Sequence, residues 1–282
     1  MTIKVAVPNK GSLAENSSLM LREAGYRQRS DGRDLILIDP ENDVEFYYLR
    51  PRDIALYVGS GDLDAGITGR DLLLDSKASA QEVLSLNFGH STFRFATRRE
   101  DLSGIADLGG TRIATSYPNL LQSYLASHSI KAEVVSLDGA VETAIGLGLA
   151  DVIADVVSTG GTLRQAGLHV FGEPLLQSEA ILVKGRRTEE NPSFATLMRR
   201  LQGVVIARQY VLVDYDIESS ILAQATALTP GLESPTISPL AKEGWSAVRA
   251  MVLRKDINRI MDALWDVGAR GILVTDIHAC RL

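Results

Sequence analysis

The stretch ETAIGLGLADVIADVVSTGGTL, residues 142–163, carries the strongest signal for the fold. Its β-branched segment 152–157 predicts a buried strand, and Gly160 and Gly161 soon after it predict a tight turn into a helix. A strand that passes into a helix in this way is typical of α/β folds with parallel sheets. We therefore expect an α/β protein, with ligands bound at the ends of such strands.

Strand and helix signals alternate over most of the chain. A helical pattern starts at Ser12, where Glu15 completes the spacing of a capping box, and Pro51 is well placed to begin another helix. Short β-branched segments predict strands at residues 3–7, 35–38, 44–49, 65–68, 112–115, 132–135 and 152–157.

Two similar segments indicate that this part of the chain forms two lobes. Residues 61–67 and 148–153 each contain a glycine, an acid three residues later and then an apolar strand, with chance similarity as the alternative. The extended segments 87–98 and 167–183 are predicted to connect the lobes. The expected limits are residues 1–90 and 180–209 for lobe I, and residues 91–179 for lobe II.

A third domain is expected after the polar, proline-containing stretch 186–192. From Tyr210 onward the pattern is strand, helix, strand, strand, helix, strand, which is the βαββαβ order of a ferredoxin-like domain over residues 210–282. By analogy of fold, such a C-terminal domain binds an effector or a partner.

Composition excludes several classes of protein. The 282 residues include 29 Lys and Arg against 35 Asp and Glu, and this net charge of −6 argues against a dedicated nucleic-acid binder. Cys280 is the one cysteine, which excludes a disulfide framework and a Cys-rich metal site. No apolar run reaches the ~18 residues of a membrane span, and the first apolar segment is too short for a signal peptide. We expect a cytoplasmic protein without nucleic-acid or membrane partners.

The turn that follows residues 152–157 suits a phosphate monoester. Ser158, Thr159 and Thr162 supply hydroxyls, and the backbone N–H groups at the start of the next helix attract an anion. Asp155, near the end of the strand, is placed to accept hydrogen bonds from the vicinal hydroxyls of a sugar. Together they predict a ribose 5-phosphate site, with an ordinary turn capped by Ser and Thr as the alternative.

Cations follow other predicted strands, at Lys10, Arg50, Arg52 and Arg70. Arginine forks at strand ends suit polyphosphate oxygens, whereas solvated surface charge is the alternative for each residue. The sequence contains no G-x-G-x-x-G fingerprint, no Walker loop, no G-x-S-x-G elbow and no histidines at metal-ligand spacing.

Residues 142–163 resemble the signature of the ATP phosphoribosyltransferase family of histidine biosynthesis. The resemblance extends over the whole chain, whose length and C-terminal domain are similar to the long, histidine-regulated form of the family. The purine-salvage motif for phosphoribosyl pyrophosphate is less similar, because it usually has two adjacent acids and Val156 follows Asp155 here. The matching signature positions are Glu142, Gly148, Ala150, Ile153, Asp155, Thr159, Gly160, Thr162 and Leu163.

The resemblance implies two periplasmic-binding-protein-like lobes with mostly parallel sheets and a ferredoxin-like regulatory domain. It implies transfer of the phosphoribosyl group of phosphoribosyl pyrophosphate to N1 of ATP, with Mg²⁺ on the pyrophosphate. Histidine and AMP are implied as inhibitors, and self-association is implied, from dimer to hexamer. We assign no protein ligand of the metal and no general base, because positioning and charge stabilisation carry such a reaction.

Residue roles also follow from the resemblance. The catalytic residues are Asp155, Glu142 and Lys10. The residues that bind phosphoribosyl pyrophosphate are Asp155, Ser158, Thr159, Gly160, Gly161 and Thr162. The residues that bind ATP are Lys10, Gly11, Arg50, Arg52, Arg70, Asp71 and Tyr117. The residues that bind histidine are Asp216, Leu232, Ser234, Thr236 and Gly271, although capping the following helix is the alternative role of Asp216.

Two other classes of function are compatible with two lobes. A small-ligand binding or sensor protein without catalysis usually has a signal peptide or a helix-turn-helix, and neither is evident. A catalytically silent partner subunit is the other possibility, and the intact sequence of residues 158–162 argues against it.

Overall fold

The first strand, β1 (Ile3–Pro8), begins a series of strands and helices in the computed structural model, which describes residues 2–30, 32–157, 160–186 and 191–281. The next elements are α1 (Ser12–Glu23), β2 (Ile36–Asp39), β3 (Val44–Leu49), α2 (Pro51–Ser60), β4 (Ala65–Gly69), α3 (Arg70–Ser76), β5 (Gln81–Ser85), β6 (Ser91–Thr97), β7 (Arg112–Thr115), α4 (Pro118–Ser127) and β8 (Glu133–Ser136). They are followed by α5 (Thr143–Gly146), β9 (Val152–Val157), α6 (Gly161–Gln165), β10 (His169–Ser178), β11 (Ala180–Lys184) and α7 (Pro192–Gln209).

Lobe I is built on a six-stranded sheet with the order β2-β3-β1-β4-β11-β5. Its centre is parallel, because β1 pairs with both β3 and β4 in the same direction. Antiparallel strands complete it on both sides, and β11 reaches it from the far end of the chain. The side chains of Ile3, Val5 and Val7 are fully buried, so β1 lies at the core of this lobe.

Lobe II is built on a five-stranded sheet with the order β10-β6-β9-β7-β8. Strand β9 is central: it pairs in parallel with β7 and antiparallel with β6. Residues 178–180 and 86–90 carry the chain between the two sheets, and the backbone N–H of Ala180 donates to the carbonyl of Phe88 at 2.9 Å. The predicted connections 87–98 and 167–183 therefore contain the strands β6, β10 and β11, which are sheet members.

The two lobes share a hydrogen-bond arrangement at the predicted repeat. The Asp64 carboxylate accepts the backbone N–H of Lys4 at 2.8 Å, and the backbone N–H of Asp64 donates to the carbonyl of Lys4 at 3.0 Å. In lobe II the Asp151 carboxylate accepts the N–H of Arg112 at 2.9 Å, and the N–H of Asp151 donates to the carbonyl of Arg112 at 2.9 Å. The repeat seen in the sequence is thus also a repeat in structure.

The C-terminal unit contains β12 (Tyr210–Glu218), α8 (Leu222–Leu228), β13 (Thr236–Pro239), β14 (Trp245–Leu253), α9 (Ile257–Asp266) and β15 (Arg270–Asp276). Its antiparallel sheet has the order β13-β14-β12-β15. Val213 and Tyr215 of β12 are buried in one core with Leu264 of α9. This is the expected ferredoxin-like arrangement.

The chain divides into two compact units, Met1–Arg22 with Tyr26–Thr196, and Glu23–Gly25 with Leu197–Leu282. The predicted α/β architecture, with two sheets in the first part of the chain and a separate ferredoxin-like domain after them, is confirmed. The residue limits of the three domains stay predictions. In the part of the chain that the structure describes, no helix is long and apolar enough to cross a membrane.

Candidate functional site

A cavity of about 340 Å³ is lined by residues of both lobes. Lys10 and Gly11 follow β1, and Gly69 and Asp71 lie where β4 passes into α3. Lobe II contributes Tyr117 and Val156. Because the carboxyl ends of parallel strands of both sheets reach this cavity, it lies where ligands of α/β proteins bind.

Asp155 lies on β9, one of the strands that reach this cavity, and its carboxylate accepts the backbone N–H of Val156 at 2.8 Å. The pKa of Asp155 is raised to about 6, mainly by burial and also by the negative charges of Glu142 and Asp71, against the lowering effects of the Val156 N–H and Arg52. Three carboxylates therefore contribute negative charge to the same part of the cleft. Glu142 immediately precedes α5.

The predicted phosphate turn is described in part. Ser158 and Thr159 lie outside the described residues. Gly160 has a φ of +68°, a left-handed conformation that favours glycine, and α6 begins at Gly161. Thr162 is exposed in the first turn of α6.

Asp71 is buried and receives hydrogen bonds from two directions. The hydroxyl of Ser178 donates to its Oδ1 at 2.7 Å, and the hydroxyl of Tyr117 also donates to its carboxylate. Burial, followed by the charge of Asp71, raises the pKa of Tyr117. Tyr117 therefore remains a neutral hydrogen-bond donor, with its ring edge against Phe93 at a centroid distance of 5.3 Å.

Arg52 lies beside Tyr117. Its guanidinium carbon is 5.0 Å from the centre of the Tyr117 ring, and its Nη1 is 3.0 Å from Oδ2 of Asp75. The side chain of Arg52 remains 44% exposed, so one side of the guanidinium is accessible to a ligand. Lys10 is exposed at the cavity wall, whereas Arg50 is exposed at the start of α2.

Arg70 has acidic partners of its own. Its guanidinium is 2.7 Å from Glu82 and 3.2 Å from Glu179, and it also donates to the hydroxyl of Ser85 at 2.9 Å. These contacts join α3 to β5 and to the connection before β11. The prediction that Arg70 binds ATP gains no support from this position, because its charge is already compensated.

In the C-terminal unit, Asp216 lies on β12 opposite Arg270, at a point where the register to β15 shifts. Gly271 has a φ of +61°, and a Cβ there would lie 3.4 Å from Asp216 Oδ2. Thr236 pairs with Arg249 at the other edge of the sheet. Leu232 and Ser234 lie in the loop before β13, so the structure brings Asp216 and Gly271 together and leaves the other three on a separate strand and loop.

Several residues of this cleft were not predicted from the sequence, namely Asp75, Glu82, Ser178 and Glu179. Asp71 and Asp75 are four residues apart on α3, which places both on one face of the helix and could have indicated Asp75. The other three come from distant segments, and no local pattern indicates them. Among the described residues no group of three or more His, Cys, Asp or Glu side chains could hold a metal ion.

The comparisons with known proteins cover almost the entire chain. A family model described as ATP phosphoribosyltransferase matches residues 50–203, and one described as the HisG C-terminal domain matches residues 207–279. ATP phosphoribosyltransferases of Salinispora tropica and Paenarthrobacter aurescens are 62% and 59% identical, over 99% of this chain and 100% of each relative. The solved ATP phosphoribosyl transferase (HisG:HisZ) complex from Thermotoga maritima is 26% identical with a TM-score of 0.63, over 72% of this chain and 98% of that chain.

Proposed function

The chain belongs to the ATP phosphoribosyltransferase family, and on that premise we propose that the cleft between its two lobes is the active site, with the sugar phosphate on lobe II and ATP on lobe I. The protein is the long form of this enzyme and catalyses the first step of histidine biosynthesis. In that reaction N1 of ATP replaces pyrophosphate at C1 of the ribose. One C–N bond forms and one C–O bond breaks.

Asp155 is the residue on which this assignment depends. Asp155 lies three residues before the glycine-containing turn, and its carboxylate is close enough to the acidic cleft residues to respond to their charge. We assign it to the ribose hydroxyls, together with Glu142. Residues Ser158, Thr159, Gly160, Gly161 and Thr162 are assigned to the 5-phosphate, for which the left-handed Gly160 and the start of α6 provide support.

ATP is assigned mainly to residues of lobe I, and Tyr117 of lobe II completes its site. The Arg52 guanidinium lies over the Tyr117 ring across the cleft, and Lys10 and Gly11 line the cavity that Tyr117 also lines. Such a pair offers an aromatic surface for a base and a cation for a phosphate. Arg50 and Asp71 remain assigned to ATP by resemblance. The same assignment of Arg70 is weakened by the pairing of its charge with Glu82 and Glu179. Lys10 is also assigned a catalytic role, as a cation near the departing pyrophosphate.

Magnesium is assigned to the pyrophosphate of the substrate. The carboxylates of Glu142 and Asp71 add negative potential at Asp155, and a divalent cation would reduce that potential. Mg²⁺ commonly uses one or two carboxylates and otherwise keeps water and substrate phosphates as ligands. When bound, the ion would neutralise charge on the leaving group.

Regulation and assembly are proposed from the family. We assign histidine as feedback inhibitor to the C-terminal domain, with Asp216 and Gly271 near its ammonium or imidazole and Leu232, Ser234 and Thr236 near its carboxylate. AMP is assigned to the nucleotide site as an inhibitor. Self-association, from dimer to hexamer, and a cytoplasmic location complete this proposal.

The test of the proposed function is formation of phosphoribosyl-ATP, followed by its near-ultraviolet absorbance. We expect product with Mg²⁺, ATP and phosphoribosyl pyrophosphate, and a loss of at least tenfold in kcat/KM for the sugar phosphate in Thr162→Ala. Thr143→Ala is the matched control, because the exposed Thr143 hydroxyl donates to the carbonyl of Ala140, three residues earlier in the chain. Calorimetric binding of either substrate without turnover would favour the sensor alternative instead.

Histidine regulation has a separate test. Asp216→Asn should raise the histidine concentration needed for half inhibition by at least tenfold. Asp262→Asn, on the exposed side of α9, is the control and should leave inhibition unchanged. Equal inhibition curves for wild type and Asp216→Asn would contradict the assignment of Asp216.

A further inference from the structure

The carboxylate of Asp75 joins the two lobes at a point away from the connecting segments. Asp75 is buried near the end of α3 in lobe I. Its Oδ1 accepts the backbone N–H groups of Asn119 and Leu120, each at 3.0 Å, and its backbone carbonyl accepts the Asn119 side-chain amide at 2.9 Å. A residue of lobe I thus accepts three hydrogen bonds, through two oxygen atoms, from the first turn of α4 in lobe II.

These contacts provide hydrogen-bond acceptors for backbone N–H groups at the start of helix α4. The first N–H groups of any helix lack partners within the helix, and a side chain just before the helix usually accepts from them. Within the described chain the residue before α4, Tyr117, makes no such side-chain hydrogen bond. Asp75 takes that place from the other lobe, and its negative charge is favourable at the positive end of the helix.

The second oxygen of Asp75 is used on its own lobe. Arg52 Nη1 lies 3.0 Å from Asp75 Oδ2, and the same guanidinium lies over the Tyr117 ring at 5.0 Å. One buried carboxylate therefore contacts both the arginine and the backbone that follows the tyrosine. Neither Arg52 nor Tyr117 can shift far without breaking a contact to Asp75 or to each other.

We propose that Asp75 is a positioning residue for ATP: it fixes Arg52 and the segment of Tyr117 in one geometry across the cleft. This inference rests on the proposed function, because it takes Arg52 and Tyr117 as residues that bind ATP. Asp75 itself does not touch the substrate in this assignment. Asp75 holds Arg52 and Tyr117 in place before ATP binds, which reduces the conformational entropy that these side chains lose on binding.

Two substitutions separate the two uses of the carboxylate. Asp75→Asn keeps an oxygen that accepts from the helix N–H groups, but its amide nitrogen cannot accept from Arg52. Asp75→Ala removes both. The matched control is Asp107→Ala, since Asp107 also accepts two backbone N–H groups at a helix start, those of Ser103 and Gly104 at 3.0 Å, wholly within lobe II.

Steady-state kinetics is the first readout. Asp75→Asn should raise KM for ATP about tenfold, with KM for phosphoribosyl pyrophosphate changed less than about twofold, and Asp75→Ala should raise KM for ATP further and also lower kcat. Asp107→Ala should lower the melting temperature and leave both KM values unchanged. If Asp75→Asn and Asp75→Ala behave like Asp107→Ala, Asp75 is a helix cap alone and the proposal is wrong.

Hydrogen exchange without substrates is the second readout. The amides of Asn119 and Leu120 should exchange at least about tenfold faster in Asp75→Ala and at nearly the wild-type rate in Asp75→Asn. Unchanged exchange in Asp75→Ala overturns the contact between the lobes even if the enzyme is active. Absence of turnover in the wild-type protein would instead contradict the proposed function, so the two failures are distinguishable.

Discussion

The hydroxyl of Ser178 donates a hydrogen bond of 2.7 Å to Oδ1 of Asp71, and both side chains are buried. The same hydroxyl accepts the backbone N–H of Asp71 at 3.1 Å. Ser178 is the last residue of β10 in lobe II, and Asp71 lies in the first turn of α3 in lobe I. The pair therefore fixes the carboxylate to which Tyr117 donates.

Replacement of Ser178 by alanine should destabilise the protein. The buried carboxylate and backbone N–H of Asp71 would each lose a hydrogen-bond partner, which lowers the free energy of unfolding by about 1–3 kcal/mol. Urea denaturation measures this change in the free energy of unfolding. Ser127→Ala is the control, because the exposed Ser127 hydroxyl donates to the carbonyl of Tyr124, and its loss should cost less than about 0.5 kcal/mol. Equal effects of the two substitutions would show that the Ser178 contact contributes no more to the free energy of unfolding than an exposed hydrogen bond does.

Asp155→Asn should increase the stability of the protein at neutral pH and decrease its activity. The pKa of Asp155 is raised from 3.8 to about 6, mainly by burial, so the folded state keeps a proton that the unfolded state releases as the pH rises above about 4. The stability that this proton provides is present at low pH and is lost as the pH passes through about 6. At pH 7.5 the wild-type protein holds a buried charge at a cost that the neutral amide avoids.

We therefore expect Asp155→Asn to be more stable than wild type at pH 7.5 by roughly 1–3 kcal/mol, with the difference shrinking towards pH 5. Its kcat/KM for phosphoribosyl pyrophosphate should fall at least about a hundredfold, because the ribose contacts are lost. Melting curves between pH 5 and 8 and initial rates check the two parts. A variant that is less stable than wild type at pH 7.5 would refute the direction of the pKa argument.

Gly160→Ala should weaken binding of the sugar phosphate. A left-handed φ of +68° costs a residue with a side chain about 1–2 kcal/mol, whereas the space at Gly160 is adequate, with the nearest atoms 3.6 and 3.7 Å from a Cβ. The strain should appear as a higher KM for phosphoribosyl pyrophosphate in initial-rate measurements. Gly146→Ala, at an open helical position of α5, is the control and should be neutral or slightly stabilising.

Arg70→Gln tests whether Arg70 is used for structure or for ATP. Loss of its charge would leave Glu82 and Glu179 facing each other, at an expected cost of about 1–3 kcal/mol in urea denaturation. KM for ATP should change less than threefold, because the charge is already paired. Arg99→Gln, in the exposed pair with Asp101, is the control and should leave the urea denaturation curve nearly unchanged. A tenfold rise in KM for ATP would restore the role that the resemblance implies.

Local sequence patterns correctly predicted the strands, helices and turns that depend only on residues close together in the chain. The strand at residues 152–157, the left-handed glycine after it and the βαββαβ order of the C-terminal domain are all present. The aspartates of the repeat were also predicted, since each precedes its strand by one residue. These features depend on alternation of apolar residues and on backbone conformations that are specific to glycine.

Contacts between distant segments were not predictable in this way. Ser178 and Asp71 are 107 residues apart, and Asp75 and Asn119 are 44 residues apart. The strand β5 was missed because its side chains are neither strongly apolar nor clearly alternating, and it is fixed by pairing with β11 from the far end of the chain. The pairing of Arg70 with two glutamates also depends on distant segments. The position of Arg70 after a strand predicted that it lies near the cleft, but its sequence neighbours did not indicate the glutamates that pair with it.

The matching contacts of Asp64 and Asp151 have a consequence for how the two substrates meet. Each aspartate anchors its strand, β4 or β9, to the beginning of a parallel neighbour, β1 or β7, so the alignment of the two strands is set at the end opposite the cleft. The sheets of both lobes are thereby aligned in the same way. In the proposed function, the two sides of the cleft rest on equivalent hydrogen-bonded strand pairs, and a shift of either pair would displace the loops on its side.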